Sequence, residues 1–167
     1  LNECCNSKFF RKFHCVPEVT RKVAREQNVD INKAGDDITQ LFILNEHLRN
    51  HYIKGPALLD RCILDGWVYT IYLHGKGQVD NWVLEYARRL YLLLRDKLDI
   101  IFYTEPDIPI EDDGERSIDV EFRDSIINIF ENVISDCYMK DKVIRLQGDV
   151  DTRYNTLKET IFNYDRD

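Results

Sequence analysis

Two charged residues follow a short apolar run in the middle of the chain, where they could take part in phosphate chemistry. Asp60 and Arg61 come directly after the apolar segment 57–59. At the end of a strand, a carboxylate can hold Mg²⁺ or accept a hydroxyl proton, and a neighbouring guanidinium can offset phosphate charge. In the structural alternative, Asp60 caps the following helix and Arg61 pairs with a surface acid. Spacing alone leaves both interpretations open.

A second acid–arginine pair lies near the start of the chain. Glu18 comes just past the β-prone segment 12–16, and Arg21 follows three residues later. A position past the end of a strand suits ligand binding. A Glu in the first turn of a helix is also common, because it interacts favourably with the helix dipole. By itself, this pair is a weak indication of a site.

The segment 108–117, IPIEDDGERS, carries four acids, one glycine and one arginine. It cannot belong to the core, because each charge would need a buried partner. It follows an apolar strand and precedes a helix capped by Ser117 or Asp119, which predicts a mobile charged loop at a binding edge. Such a loop could close over a substrate and bring Arg116 to a phosphate. A solvated surface turn is the alternative.

The elements that would position these residues alternate along the chain. Periodic apolar residues and short apolar runs predict helices over about 19–26, 36–53, 64–73, 81–98, 119–139 and 152–162, and strands over 12–16, 57–61, 99–104 and 142–146. This order predicts an α/β fold with a parallel sheet flanked by helices on both faces. Ligands bind beyond the carboxyl ends of such strands, where the charged pairs fall. The helix at 81–98 is nearly apolar on all sides in its second half, which predicts an internal position.

Length, apolar content and net charge limit the classes of protein to which the chain can belong. A chain of 167 residues fits one domain. No apolar run reaches the roughly 18 to 20 residues needed to span a bilayer, so we predict a soluble, cytoplasmic protein without membrane partners. The net charge of -7 argues against a protein that coats nucleic acid, although a local basic cleft stays open.

Histidines and aromatic residues offer two further signals. His47 and His51 have the i, i+4 spacing of a zinc pair, but the helix lacks the Glu of a metalloprotease motif, so we predict a solvated helix face. A dense set of aromatic residues is predicted to be mostly core, with one or two able to stack on a base: Trp67, Tyr69, Tyr72, Trp82 and Tyr86.

Three segments resemble a known family: LDRCILD at 59–65, DIIFYTEP at 99–106 and IEDDGERSIDVEFR at 110–123. They are similar to P-loop nucleoside and nucleotide kinase-like ATPases related to the kinase domain of bacterial ribosylnicotinamide kinases, a group well represented in bacteriophages. The likeness extends over nearly the whole chain, and Asp-Asp-Gly-x-Arg-Ser is its most specific element. It implies a single three-layer P-loop kinase domain over 1–167, with a lid at about 105–123 and ATP and Mg²⁺ as cofactors.

The resemblance also implies roles for individual residues. Arg116 and Arg123 would be lid arginines that meet the ATP phosphates. Asp60 or Glu18 would be the base for the acceptor hydroxyl, and Asp60 would also bind the metal. Three residues would lie on the acceptor side: Arg61, Arg21 and Asp65. Three residues after the last strand would lie near the adenine: Gly148, Asp149 and Arg153.

The chain departs from this family in one large respect. No Gly-x-x-x-x-Gly-Lys-Ser/Thr occurs in its 167 residues, and that loop supplies the backbone cradle, the lysine and the magnesium-binding hydroxyl. The opening residues LNECCNSKFF have the spacing of a helix already in progress. We therefore expect a strand and a phosphate loop, some 10 to 20 residues, to precede them.

The predicted function is an ATP- and Mg²⁺-dependent kinase that transfers the γ-phosphoryl group to a hydroxyl of a nucleoside, nucleotide or nucleoside-like acceptor. One alternative acceptor is a modified base in DNA, which the acidic charge does not favour. Another alternative is a non-catalytic nucleotide-binding regulatory or interaction protein. Homo-oligomerisation through the apolar helix at 81–98 is also open.

Overall fold

The computed structural model describes residues 10–27, 35–107, 119–135 and 137–164. Strands are β1 His14–Val16, β2 Ala57–Leu59, β3 Ile101–Thr104 and β4 Val143–Leu146. Helices are α1 Val19–Gln27, α2 Asp37–Asn50, α3 Ile63–Gly75, α4 Asn81–Leu94, α5 Val120–Ile134, α6 Cys137–Lys140 and α7 Val150–Tyr164, and a 3-10 turn, Arg95–Lys97, follows α4. The predicted alternation of strands and helices is confirmed.

The strands form two parallel pairs. β1 pairs with β2, with His14 opposite Ala57, and β3 pairs with β4, with Ile101 opposite Val143. Within the described residues these are two separate two-stranded sheets. The predicted parallel pairing is therefore confirmed, while the four strands by themselves do not join into one continuous sheet.

Strand β3 is covered on both of its faces. Ile101 and Tyr103 pack into the main core with residues of α3, α4 and α5. Phe102 belongs to a second cluster with Leu58 of β2 and Ile161 of α7. Because successive side chains of a strand point to opposite faces, helices lie on both sides of it. This confirms the predicted α/β layering.

Two aspartates cap helices as their sequence positions suggest. Asp36 Oδ1 accepts a hydrogen bond from Thr39 N at 2.8 Å, at the start of α2. Asp119 Oδ1 accepts one from Phe122 N at 3.1 Å, at the start of α5. Each bond satisfies a backbone N–H that has no partner inside the helix. Asp119, one of the two cap candidates that the sequence offers for α5, is thus its N-cap, while Ser117 lies outside the described residues.

Helix α4 differs from its predicted internal position. Its buried residues recur three or four apart along one face, for example Val83, Ala87, Leu90 and Leu94. Leu93, in the apolar second half, is 57% exposed. The helix is therefore buried along one stripe, as in an ordinary amphipathic helix. No helix in the described ranges has the length and apolar content needed to cross a membrane.

Candidate functional site

The ends of β1 and β2 bring three predicted site residues together. Glu18 Oε1 lies 3.0 Å from Arg61 Nε, and Glu18 Oε2 lies 3.0 Å from Arg21 Nε. Glu18 follows β1 and Arg61 follows β2, and the two strands are parallel neighbours. Their carboxyl ends consequently share one edge, and the charged residues that follow the two strands meet there.

Arg61 has an unusual backbone conformation. Its φ of 71° makes it the one non-glycine residue with positive φ in the described ranges. An L-residue pays about 1–2 kcal/mol for this left-handed conformation. Such strain persists where surrounding contacts hold it, and it is concentrated at functional sites. Arg61 is therefore a candidate site residue on conformational grounds as well as charge.

Tyr69 of α3 holds the Arg61 guanidinium from the other side. Arg61 Nη1 donates to Tyr69 Oη at 3.3 Å, and its Cζ lies 5.7 Å from the Tyr69 ring centroid. Together with Glu18, this contact fixes the guanidinium at the strand edge. From the sequence, Tyr69 was predicted only as one of a general aromatic set, and no helical spacing links it to Arg61, which precedes α3.

Asp65 supports the start of α3 and the charge of Arg61. Its Oδ2 accepts a hydrogen bond from Cys62 N at 3.0 Å, within a capping box. Burial raises the pKa of Asp65, although the Arg61 charge opposes this shift. Burial disfavours charge on Arg61 too, but Asp65, Tyr69 and Glu18 outweigh it and raise the pKa of Arg61. Arg61 therefore stays charged, and the described contacts of Asp65 are those of a cap.

Asp60 presents an exposed carboxylate beside this cluster. Its backbone N–H donates to Val16 O at 2.9 Å, which fixes the main chain between the two strands. Within the described part of the chain, its carboxylate makes no hydrogen bond or ion pair. The N-cap of α3 is Cys62, so Asp60 does not cap that helix. Among the residues that the structure describes, nothing engages its side chain, which is available there to a metal ion or a hydroxyl.

Two cavities adjoin the cluster. The larger, of about 830 Å³, is lined by the whole of β2 and β3 and by Asp60 and Arg61. The smaller, of about 20 Å³, lies among residues of α1, α2 and α3. Asp65 and Tyr69 line both cavities. The two spaces therefore meet across these two side chains.

His47 lies against the small cavity, contrary to the predicted solvated face. It is 1% exposed, and a Cβ added at Gly66 would lie 3.1 Å from His47 Cδ2. The close approach of α2 to α3 at this glycine buries the imidazole. His51 directs its Nδ1 to His47 O at 2.8 Å, so the two rings do not converge on one point. The prediction was wrong for His47, because helix packing overrode the polar pattern.

The three residues predicted near the adenine, Gly148, Asp149 and Arg153, follow β4 and make hydrogen bonds within the protein. Arg153, 7% exposed, donates from Nε to Gly148 O at 2.7 Å and from Nη2 to Glu105 O at 3.2 Å. It also pairs with Asp107. Asp149 Oδ1 accepts a hydrogen bond from Thr152 N at 2.8 Å at the start of α7. The contacts of Arg153 join the loops after β3 and β4, whereas the contact of Asp149 caps α7.

Replacing Arg153 with Met should lower the free energy of unfolding by about 2 to 4 kcal/mol. The substitution keeps most of the buried volume, but it removes the donor to the carbonyls of Gly148 and Glu105. Urea denaturation followed by circular dichroism measures the change. Arg89→Met at an exposed position of α4, where Arg89 pairs with Glu85, is the control and should leave stability unchanged. Equal stability of the two variants would contradict this role.

Of the two predicted lid arginines, the described residues include Arg123 but not Arg116. Arg123 Nη2 donates to Pro106 O at 2.7 Å, which ties the first turn of α5 to the segment after β3. Arg116, with the rest of 108–118, lies outside the described residues. The flanks of the predicted lid are thus joined to each other and, through Arg153, to the loop after β4.

Solved structures show the same fold. A NadR protein in complex with NR matches with a TM-score of 0.72 and 18% identity, covering 98% of this chain and 46% of that one. A NadR protein in complex with NAD and AMP-PNP matches with a TM-score of 0.66 and 16% identity, covering 98% and 44%. This chain therefore spans less than half the length of either structure. No curated protein matches its sequence significantly.

The fold is the α/β P-loop kinase fold of these NadR structures. A family model described as "AAA domain" matches residues 7–153, which is most of the chain. The match includes both strand pairs and the charged cluster at the ends of β1 and β2. The chain belongs to this AAA domain family.

Proposed function

We propose that the protein is an ATP- and Mg²⁺-dependent phosphotransferase acting on a hydroxyl of a nucleoside-like small molecule. The observation that carries the proposal is the Arg61 guanidinium, held by Glu18 and Tyr69 next to Asp60, whose carboxylate has no partner among the described residues. Family membership and the NR and AMP-PNP complexes of proteins with this fold support the substrate class.

The contacts of Glu18 and Asp60 suggest that the two acids have different roles. Both oxygens of Glu18 are engaged by arginines, so Glu18 is suited to orienting Arg61 and Arg21. The Asp60 oxygens have no partner in the part of the chain that the structure describes, which favours Asp60 as the base for the acceptor hydroxyl or as a ligand of Mg²⁺. Arg61 would stabilise the negative charge of the transferring phosphoryl group.

Asp60 fits a magnesium site of the kind found in phosphoryl-transfer enzymes. Mg²⁺ commonly binds one or two carboxylates and completes its shell with phosphate oxygens and water. Among the described residues, no group of three or more His, Cys, Asp or Glu is arranged to hold a metal. A single carboxylate at the edge of the cleft therefore suits a metal that arrives with ATP. Bound Mg²⁺ would neutralise phosphate charge.

In this proposal, the phosphate-binding loop lies in the space between the two strand pairs. Within the described ranges, no strand pairs with the edges of β2 and β3 that line the large cavity. Unpaired backbone groups at two such edges favour an added parallel strand. A loop at the carboxyl end of that strand would lie next to Arg61 and could supply N–H groups to phosphates. In this proposal, residues 1–167 belong to one kinase domain, with 105–123 as its lid.

Phosphoryl transfer by the full-length protein tests the function directly. We expect labelled phosphate from [γ-³²P]ATP to appear on a nucleoside-type acceptor only when Mg²⁺ is present. The acceptor panel contains ribosylnicotinamide, ordinary nucleosides, nucleoside monophosphates and hydroxymethylated DNA. Label on the DNA alone would favour the DNA-base alternative. ATP binding without transfer to any acceptor would overturn the enzymatic proposal and favour a non-catalytic nucleotide-binding protein.

A further inference from the structure

The small cavity is lined largely by polar side chains. Its volume of about 20 Å³ is enough for one water-sized group. The side chains with hydrogen-bonding atoms in its wall come from three helices: Thr20, Thr39, Gln40, His47, Asp65 and Tyr69. A buried wall of this composition favours a polar occupant, since an apolar one would leave these groups unsatisfied.

His47 is the group in this wall that most requires an occupant. It is 1% exposed, and neither of its ring nitrogens has a hydrogen-bond partner among the described residues. Burial, then the charges of His51 and Arg61, lower the pKa of His47 to about 3. The neutral ring has one N–H donor and one acceptor nitrogen. A ligand group that both donates and accepts would complement it.

Gln40 lines the same cavity, and its hydrogen bonds leave its carbonyl oxygen for an occupant. Its Nε2 donates to Gly66 O at 3.2 Å and to Thr70 Oγ1 at 2.8 Å, and Thr70 Oγ1 donates to Gly66 O at 2.6 Å. Both amide hydrogens of Gln40 are thereby used. Its carbonyl oxygen has no donor among the described residues, so it is left as an acceptor. This network holds α2 and α3 in register around the cavity.

The small cavity is next to the large cavity, which is lined by Asp60 and Arg61 and would hold the phosphate acceptor. Asp65 and Tyr69 separate it from the large cavity, and Tyr69 contacts Arg61. We infer that the small cavity is a subsite that receives one uncharged group of the phosphate acceptor that both donates and accepts a hydrogen bond, such as a hydroxyl. The inference rests on the proposed function and names the part of the acceptor that this site would select.

Two substitutions in the full-length protein test the subsite. Thr20→Val removes one hydroxyl from half-buried α1 with little change of shape, and His47→Leu removes both imidazole nitrogens. We expect the acceptor KM to rise about 3- to 10-fold for Thr20→Val and more than 10-fold for His47→Leu. The ATP KM should stay within about twofold of wild type, because the expected loss is confined to acceptor binding. Thr156→Val, at a half-buried position of α7 far from this cavity's lining residues, is the matched control and should match wild type.

Calorimetric titration with the acceptor, without ATP, gives a second readout and should show the same loss of affinity. If His47→Leu does not fold, Thr20→Val decides the question by itself. A wild-type acceptor KM and affinity in the folded variants would overturn the subsite while leaving the proposed function intact. A wild-type protein that transfers no phosphate to any acceptor would overturn the proposed function and, with it, this inference.

Discussion

Arg61→Gly in the full-length protein is expected to lower kcat for phosphoryl transfer by about 100-fold or more, with little change in stability. The guanidinium lies beside Asp60 at the carboxyl edge of β2 and is held by Glu18 and Tyr69. Without it, negative charge that develops on the transferring phosphate loses a fixed positive neighbour. The loss should appear mainly in kcat, because this charge is greatest in the transition state.

Glycine is the informative replacement because Arg61 has a φ of 71°. Glycine relieves about 1–2 kcal/mol of backbone strain, which offsets the lost ion pair and the greater freedom of the unfolded chain. The net change in the free energy of unfolding should stay within about 1 kcal/mol. A large loss of activity would then report a chemical role for the guanidinium.

Activity assays and urea denaturation of the same preparations provide the measurement. Arg61→Asn, which also tolerates the left-handed conformation, should behave like the glycine variant. Arg88→Ala on α4 removes one surface charge and should retain wild-type activity. If Arg61→Gly were fully active, Arg61 would be only a structural residue, and its placement in the mechanism would be wrong.

Asp60→Asn is expected to reduce phosphoryl transfer by about 100-fold or more and to weaken its dependence on Mg²⁺. The exposed carboxylate makes no contact within the described residues, so an isosteric amide should leave the fold unchanged. An amide is a poor base and a weaker ligand for a hard cation. The same substitution thus tests both roles assigned to Asp60.

Initial rates measured over a range of Mg²⁺ concentrations separate these roles. A higher Mg²⁺ requirement with recovery at saturation indicates a metal ligand, whereas a reduced kcat at all concentrations indicates the base. Asp124→Asn, at an exposed position on α5, is the matched control and should have wild-type rates. Wild-type turnover of Asp60→Asn at every concentration would remove Asp60 from the mechanism and leave Glu18 as the candidate base.

Several features of the fold were predictable because they depend on local sequence. The caps Asp36 and Asp119 satisfy N–H groups three residues away, so nearby residues suffice to place them. The parallel pairing of strands follows from helices inserted between them. The convergence of Glu18 and Arg61 followed from the same rule, since parallel strands end at one edge.

Long-range packing determined what local patterns could not. The polar helix face carrying His47 resembles a solvated surface, but the contact of α2 with Gly66 buries it. Conversely, the apolar residue Leu93 is 57% exposed, because only one stripe of α4 meets the core. Periodicity identifies a continuous apolar face, but it does not identify the neighbouring element or how closely that element approaches.

The sequence alone therefore determined the element order, the α/β class and the charged residues at the strand ends, since these depend on short-range periodicity and strand direction. Only the tertiary structure decided that Arg61 adopts a left-handed backbone between Glu18 and Tyr69, and that His47 faces a small cavity. Both features arise where three helices and two strand ends meet, and their partners lie too far apart in sequence for any local pattern to specify the contact.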